Sequence, residues 1–287
     1  MINRRELIKG AVTLGGYAGM GLGRSLAQDD DSLAIIDTNV SLFHYPFRRL
    51  PLDEPDKLVA RLQELGVTEA WAGSFEAILH RDVSSVNRRL METCSRYEIL
   101  KPIGAINPTL PGWERDLADC QNHRMTGIRL LPNYHGYSLE DPRFRKLLEQ
   151  ATGAGMFVQI AVSLEDLRTQ HEKLSVPDVD LSPMKEALAR VKGARVQILN
   201  HRGRGKALTE LAKINGVAFD TARLDGTNGI PGFLHKVSPK GLMHGSHAPF
   251  LIAEAALIRT HESGQMEPGE LRKVLSGNAR RWRKGGA

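Results

Sequence analysis

The amino-acid sequence predicts a (β/α)8 TIM barrel, and three observations carry that expectation. From residue 34 onward, eight short apolar runs alternate with amphipathic segments, the pattern of a parallel sheet covered by helices on its outer face. The stretch behind a removable N-terminus, 28–287, is about 260 residues long, close to the ~250 of a single barrel. No Gly-x-Gly-x-x-Gly follows the first run, so an open dinucleotide-binding sheet lacks support.

In order, the runs are Ala34 to Val40, Thr68 to Phe75, Leu100 to Asn107, Gly127 to Pro132, Phe157 to Val162, Arg195 to Asn200, Val217 to Ala222 and Leu242 to Ser246. They are bounded by Gly, Pro, Asn or Asp and are too short for buried helices. The helical segments are Glu54 to Leu65, Val83 to Tyr97, Trp113 to His123, Arg143 to Ala154, Pro183 to Val191, Ala207 to Ile214, Pro231 to Val237 and Pro249 to His261. Their apolar positions recur at three and four, as in Leu58, Leu62 and Leu65. Gly66, Gly155, Gly193 and Gly216 each follow a helix and precede a strand, the place of a C-cap. A last helix, Pro268 to Trp282, closes the chain. The longest irregular stretch, Ser163 to Pro183, follows the fifth run, where a barrel places a functional loop. No repeat, linker or second domain is visible.

Residues 1–27 read as an address. Arg4-Arg5, a glycine-rich apolar middle and Ser25-Leu26-Ala27 have the parts of a twin-arginine export signal, which predicts a periplasmic or secreted protein. Cleavage after Ala27 removes Arg4, Arg5, Lys9, Arg24 and Glu6, lowering the net charge from +6 to +3. The remaining charge is spread along the chain, so a nucleic-acid partner is not expected. No run reaches the roughly 18 apolar residues of a membrane helix. Two cysteines, Cys94 and Cys120, do not make a disulfide framework. They are read as buried thiols, a single bridge being the other arrangement.

Chemistry in a barrel sits where its strands end. Those ends carry Asp37-Thr38-Asn39-Val40-Ser41, Ser74-Phe75-Glu76, Asn107, Asn133-Tyr134-His135, Glu165-Asp166 to His171, Asn200-His201-Arg202, Asp220 to Arg223 and His244-Gly245-Ser246-His247. Such residues also cap loop backbone, but eight polar ends together favour a site. The segment from Glu165 to His171 sets Asp166, Arg168 and His171 within one stretch, as a substrate clamp or as a solvated turn with a local ion pair. His135, between Tyr134 and Tyr137, reads as part of an aromatic lid or as an exposed loop residue.

Several landmarks stand in a consistent order: Ile36-Asp37, Gly127-Ile128-Arg129-Leu130-Leu131-Pro132, Ile198-Leu199-Asn200-His201, Gly245-Ser246-x-x-Pro249 and Gly277-Asn278-Ala279-Arg280. In these the chain resembles the amidohydrolase-related (amidohydrolase 2 type) group of metal-dependent barrel hydrolases and decarboxylases, over nearly all of residues 34–282. The resemblance implies a His-x-His after the first strand, a His after the fifth and a Gly-Ser-Asp at the eighth. This chain has Asn39-Val40-Ser41, Ala161-Val162 and His247 at those places, and Asn and Ser are poor ligands for a zinc-like ion.

Three readings follow. A rearranged site holds a divalent metal through His201 and His247, with Asp37 or His171, leaving a position for water. Alternatively the enzyme is metal-free, as the resemblance to lactone-cleaving relatives permits: His201 or His247 acts as base, Asp220 or Asp37 orients it, and Arg129, Arg168 or Arg202 holds an anion. In the third, the barrel is an exported binding protein without catalysis. The expected function is hydrolysis of a lactone, amide or C–C bond in a small, anionic molecule, with Asn39 and His135 also lining the substrate and decarboxylation ranking lower. A homodimer through an exposed barrel flank is the expected assembly.

Overall fold

A computed structural model describes residues 34–226, 228–237, 240–261 and 265–285. The export signal at 1–27 lies outside the described residues. The strands are β1 (Ile35–Leu42), β2 (Val67–Ser74), β3 (Leu100–Pro102, resuming at Gly104–Ala105), β4 (Gly127–Leu130), β5 (Phe157–Ala161), β6 (Val196–Leu199), β7 (Val217–Asp220) and β8 (Leu242–Met243). All pairings are parallel and follow chain order. β3 breaks at Ile103, its first part pairing with β2 and its second with β4. The ring closes between its ends: Thr38 N–H donates to the His244 carbonyl, Val40 bridges to Ala248 and His247 N–H donates to the Asn39 carbonyl. The expected (β/α)8 barrel is therefore the architecture.

The helices are α1 (Pro55–Glu64), α2 (Val83–Cys94), α3 (Trp113–Asn122), α4 (Pro132–His135), α5 (Pro142–Gly153), α6 (Met184–Arg190), α7 (Lys206–Leu211), α8 (Gly229–Leu234), α9 (Ala253–His261), α10 (Pro268–Arg272) and α11 (Asn278–Arg283). Local chemistry fixes their starts. Pro opens α1, α4, α5 and α10 at the position where its missing N–H costs nothing. Asp82 and Asp141 cap α2 and α5 by accepting from Ser85 N–H and Arg143 N–H. Gly155 and Gly216, at φ +72° and +86°, reverse the chain from helix into β5 and β7 in a conformation that side chains resist.

Three expectations shift. The fourth run does not extend to Pro132, because Pro132 starts the short helix α4. The helix expected from Pro249 begins at Ala253. The last helix is divided by a π segment, Lys273–Gly277, and this frees the Val274 carbonyl to accept from His244 N–H at 2.8 Å. Cys94 and Cys120 are buried free thiols, and burial pushes both up to about 12.

The floor of the barrel is apolar. Ile36, Trp71, Ile103, Phe157, Ala218 and Met243 pack against Ala279 and Trp282 of α11. The outer face of the sheet is buried under the helices in a separate cluster that includes Phe144, Phe219 and Phe233.

Candidate active site

Above the floor the barrel interior turns polar. Arg129, Gln159 and Gln197 stand at matching register on β4, β5 and β6. Arg129 Nε donates to Gln159 Oε1 at 2.9 Å, and its Nη1 donates to the Val40 carbonyl and Ser41 Oγ at 2.9 and 3.1 Å. Gln159 Nε2 donates to the Thr38 carbonyl and to Gln197 Oε1, and Gln197 Nε2 donates to Thr38 Oγ1. β2 makes room with Gly73, where a Cβ would lie 2.8 Å from Arg129 Nη1. Burial lowers the Arg129 guanidinium to about 10, opposed by the Asp220 and Asp37 charges. At neutral pH it remains a cation, without a carboxylate in hydrogen-bonding contact.

Asp220 ends β7 inside the barrel. Its Oδ2 accepts from Asn39 Nδ2 at 2.7 Å and its Oδ1 from Asn200 N–H at 2.9 Å; Asn39 Nδ2 also donates to Asn200 Oδ1 at 2.7 Å. Gly245 on the eighth strand's exit permits this approach, since a Cβ there would meet the Cβ atoms of Asp220 and Asn39 at 3.0 and 3.1 Å. Burial raises the Asp220 carboxyl to about 7 against the Asn39 and Asn200 hydrogen bonds. Asn200 adopts φ +59°, an uncommon backbone state, and its buried Nδ2 has no partner among the described residues. Asp37 Oδ1 accepts from Asn39 N–H and Ser246 N–H, while its buried Oδ2 is without a partner among the described residues.

The two histidines differ. His201 lies on the helix side of the sheet, its ring 5.2 Å from Phe219 and 4.7 Å from Phe233. Its Nδ1 accepts from Gly203 N–H and its Nε2 donates to the Asp220 carbonyl. Both nitrogens are thus committed, and burial lowers the ring to about 4, so in this arrangement neither nitrogen of His201 is turned toward a metal or a proton. His247, also at φ +59°, faces the mouth. Its Nε2 donates to the Leu164 carbonyl at 3.0 Å, which leaves a buried Nδ1 lone pair without a partner among the described residues. Burial lowers it to about 3, so the ring is neutral.

An aromatic roof covers this interior. The Tyr45 ring meets Phe47, Phe75 and Phe250 at 5.1–5.4 Å, and Phe250 stacks on His247 at 5.0 Å. Glu165 ties the roof down: its Oε2 accepts from Tyr45 Oη at 3.0 Å, and its Oε1 pairs with Arg48. The expected clamp is thus divided. Glu165 turns inward, Asp166 pairs outside with Arg168 and Arg202, and His171 is exposed, its Nδ1 taken by Lys173 N–H. His135 joins neither group; its Nε2 bonds the Ala77 carbonyl at 2.9 Å. Surface cavities of about 250 Å³ between α6 and α7 and beside Tyr137 exclude Asp220, Arg129 and His247.

No protein-family model matches the sequence, and no curated protein matches it. Solved structures do. The 5-carboxyvanillate decarboxylase of Novosphingobium aromaticivorans, complexed with manganese and 4-hydroxy-3-methoxy-5-nitrobenzoic acid, is 13% identical with a TM-score of 0.65, covering 89% of this chain and 97% of that one. Amidohydrolase 2 from Bifidobacterium longum subsp. infantis is 18% identical, TM-score 0.62, covering 88% and 99%. A protein of Pseudomonas putida assigned as a 2-pyrone-4,6-dicarboxylic acid hydrolase is 16% identical, TM-score 0.63, covering 89% and 99%.

The fold is that of the amidohydrolase-related barrels. The divalent ion implied by that fold does not fit the donors present here. Asn39 presents amide protons to Asn200 and Asp220, where a cation needs lone pairs. Ser41 Oγ accepts from a guanidinium, and His201 is committed to backbone. Among the described residues no group of three His, Cys, Asp or Glu side chains converges on a metal position. Sequence reasoning missed Gln159, Gln197, Gly73 and the roof residue Phe250. The two glutamines had a signal: each interrupts an otherwise apolar strand, as Arg129 does.

Proposed function

We propose that the protein hydrolyses a small anionic molecule at the mouth of the barrel, with Asp220 rather than a metal activating the water. One observation carries this reading: a fully buried carboxylate raised to about 7, held by two amide donors, in the same interior as a buried cation. A base poised near the working pH combines the right protonation state with useful basicity. In this mechanism Asp220 takes the proton of the attacking water, while Asn39 and Asn200 N–H fix the orientation of the carboxylate. Arg129 holds the substrate's anionic group or its developing oxyanion. The Nδ1 lone pair of His247 accepts a hydrogen bond from a substrate donor or from the water, and the roof excludes bulk solvent.

A second reading uses the same carboxyl as a proton donor in loss of carbon dioxide, since Asp220 is half-protonated near neutral pH; a decarboxylase is among the solved structures of like fold. The test is incubation with small lactones, amides and carboxylic acids, followed by mass analysis. Products gained by addition of water, and absent with Asp220→Asn, support hydrolysis. Loss of carbon dioxide transfers the role to the second reading. Recovery of every compound unchanged, with binding retained, leaves an exported binding protein. The Arg4-Arg5 pair supports action after export, and replacing both by Lys is expected to keep the protein in the cytoplasm.

A further inference from the structure

The loops leaving β5, β6 and β7 bring a charged cluster to one side of the mouth. Asp166 accepts from Arg168 at 3.0 and 3.1 Å and from Arg202 Nη2 at 2.9 Å, and Arg223 Nη2 lies 4.0 Å from the same carboxylate. Arg202 also faces Asp178 at 3.9 Å. Three guanidiniums thus share one near carboxylate and one distant one. Arg168 is 86% exposed and its pairing contributes little.

Arg223 is different. Its side chain is 11% exposed, its ion pair is long, and among the described residues its hydrogen-bond acceptor is Ser163 Oγ at 2.9 Å. A guanidinium has five donors in a fork that matches an oxyanion, so most of this one's capacity is unused. It also stands beside the candidate site, because Arg223 and His247 donate to the adjacent residues Ser163 and Leu164.

We infer that Arg202 and Arg223 form a second anion subsite at the mouth, filled in the free protein by the chain's own Asp166, so that the substrate class is a small dianion with one charge at Arg129 and the other here. This deepens the proposed function and rests on its assignment of Arg129. A ligand carboxylate displaces Asp166 from the pair, and Asp166 acts as a built-in competitor that keeps monoanions and solvent ions from lodging there.

Calorimetric titration of the full chain with linear dicarboxylates of three to six carbons, against monocarboxylates of the same lengths, tests this. At least one dicarboxylate is expected to bind about tenfold tighter than its matched monocarboxylate. Arg223→Met should abolish that preference, and Asp166→Asn should strengthen dicarboxylate binding several-fold, with thermal unfolding confirming that both variants fold. Equal affinity for the two series, no binding of either, or an unchanged preference in both variants overturns the subsite. A dicarboxylate preference that survives while no compound is turned over would sink the hydrolase reading and leave the subsite standing.

Discussion

At Asp220, burial and hydrogen bonding pull in opposite directions, and burial wins. The carboxyl accepts from Asn39 and from Asn200 N–H, yet it is raised from 3.8 to about 7. Between those two values the folded protein holds a proton that the unfolded chain has released. Stability therefore falls as pH rises through that window, by roughly 4 kcal/mol for a fully buried group, and levels off above pH 7. Asp220→Asn removes the titrating group, so it should abolish turnover and flatten the fall in melting temperature between about pH 4 and 7; a variant that keeps the parent's pH dependence of stability would refute the buried-charge account. The parent's kcat/KM should climb as pH rises through about 7, tracking the deprotonated base. Sequence alone marked Asp220 or Asp37 as the orienting residue and His201 or His247 as the base. Residue type suggested that assignment. The proposed function gives the base role to Asp220 because of the side of the sheet each side chain faces and the φ +59° of Asn200, which no composition or spacing reveals.

At the scale of the elements, most of the barrel was legible because parallel strands buried on both faces must be apolar, and surface helices must carry a stripe. Every one of the eight strands lies within, or one or two residues beyond, its expected run. The ends of elements were less legible, since Pro132 and the π segment at Lys273–Gly277 obey local hydrogen bonding rather than periodicity. The site was legible only in part, for a related reason: its polar residues sit on the inner face at one register, and register depends on partners distant in sequence. Gly73 shows the coupling. There β2 yields to the Arg129 guanidinium, since a Cβ would meet Nη1, Cζ and Nε at 2.8–3.1 Å. Gly73→Ala should therefore displace the guanidinium from Val40 and Ser41, costing about 1–3 kcal/mol of stability and weakening anion binding. Denaturant unfolding together with a monocarboxylate titration checks both; unchanged affinity would mean that Arg129 does not meet the ligand.

Taken as a whole molecule, the barrel has an apolar floor, a polar middle and an aromatic roof, and the three constrain each other. The floor, sealed by Trp282, excludes water from below. Glu165, on the loop after β5, ties down the loop after β1 through Tyr45 and Arg48; its side chain is completely buried while Arg48 is 42% exposed. Glu165→Gln should loosen that tie, speeding hydrogen exchange in the 43–50 and 163–166 loops and changing KM more than kcat; exchange that stays slow would show that the aromatic rings alone hold the roof. Between floor and roof, the interior is filled by Arg129, Gln159, Gln197 and Asn39. A guanidinium fixed there repels a divalent ion, and under the proposed function its positive charge meets the anion that a metal would otherwise polarise. Dialysis against a chelator is therefore expected to leave both turnover and the melting temperature unchanged, and added manganese or zinc should raise neither. Activity that disappears on chelation and returns with either ion would mean that the polar middle rearranges around a metal, and the assignment of Arg129 as the resident cation would fall with it.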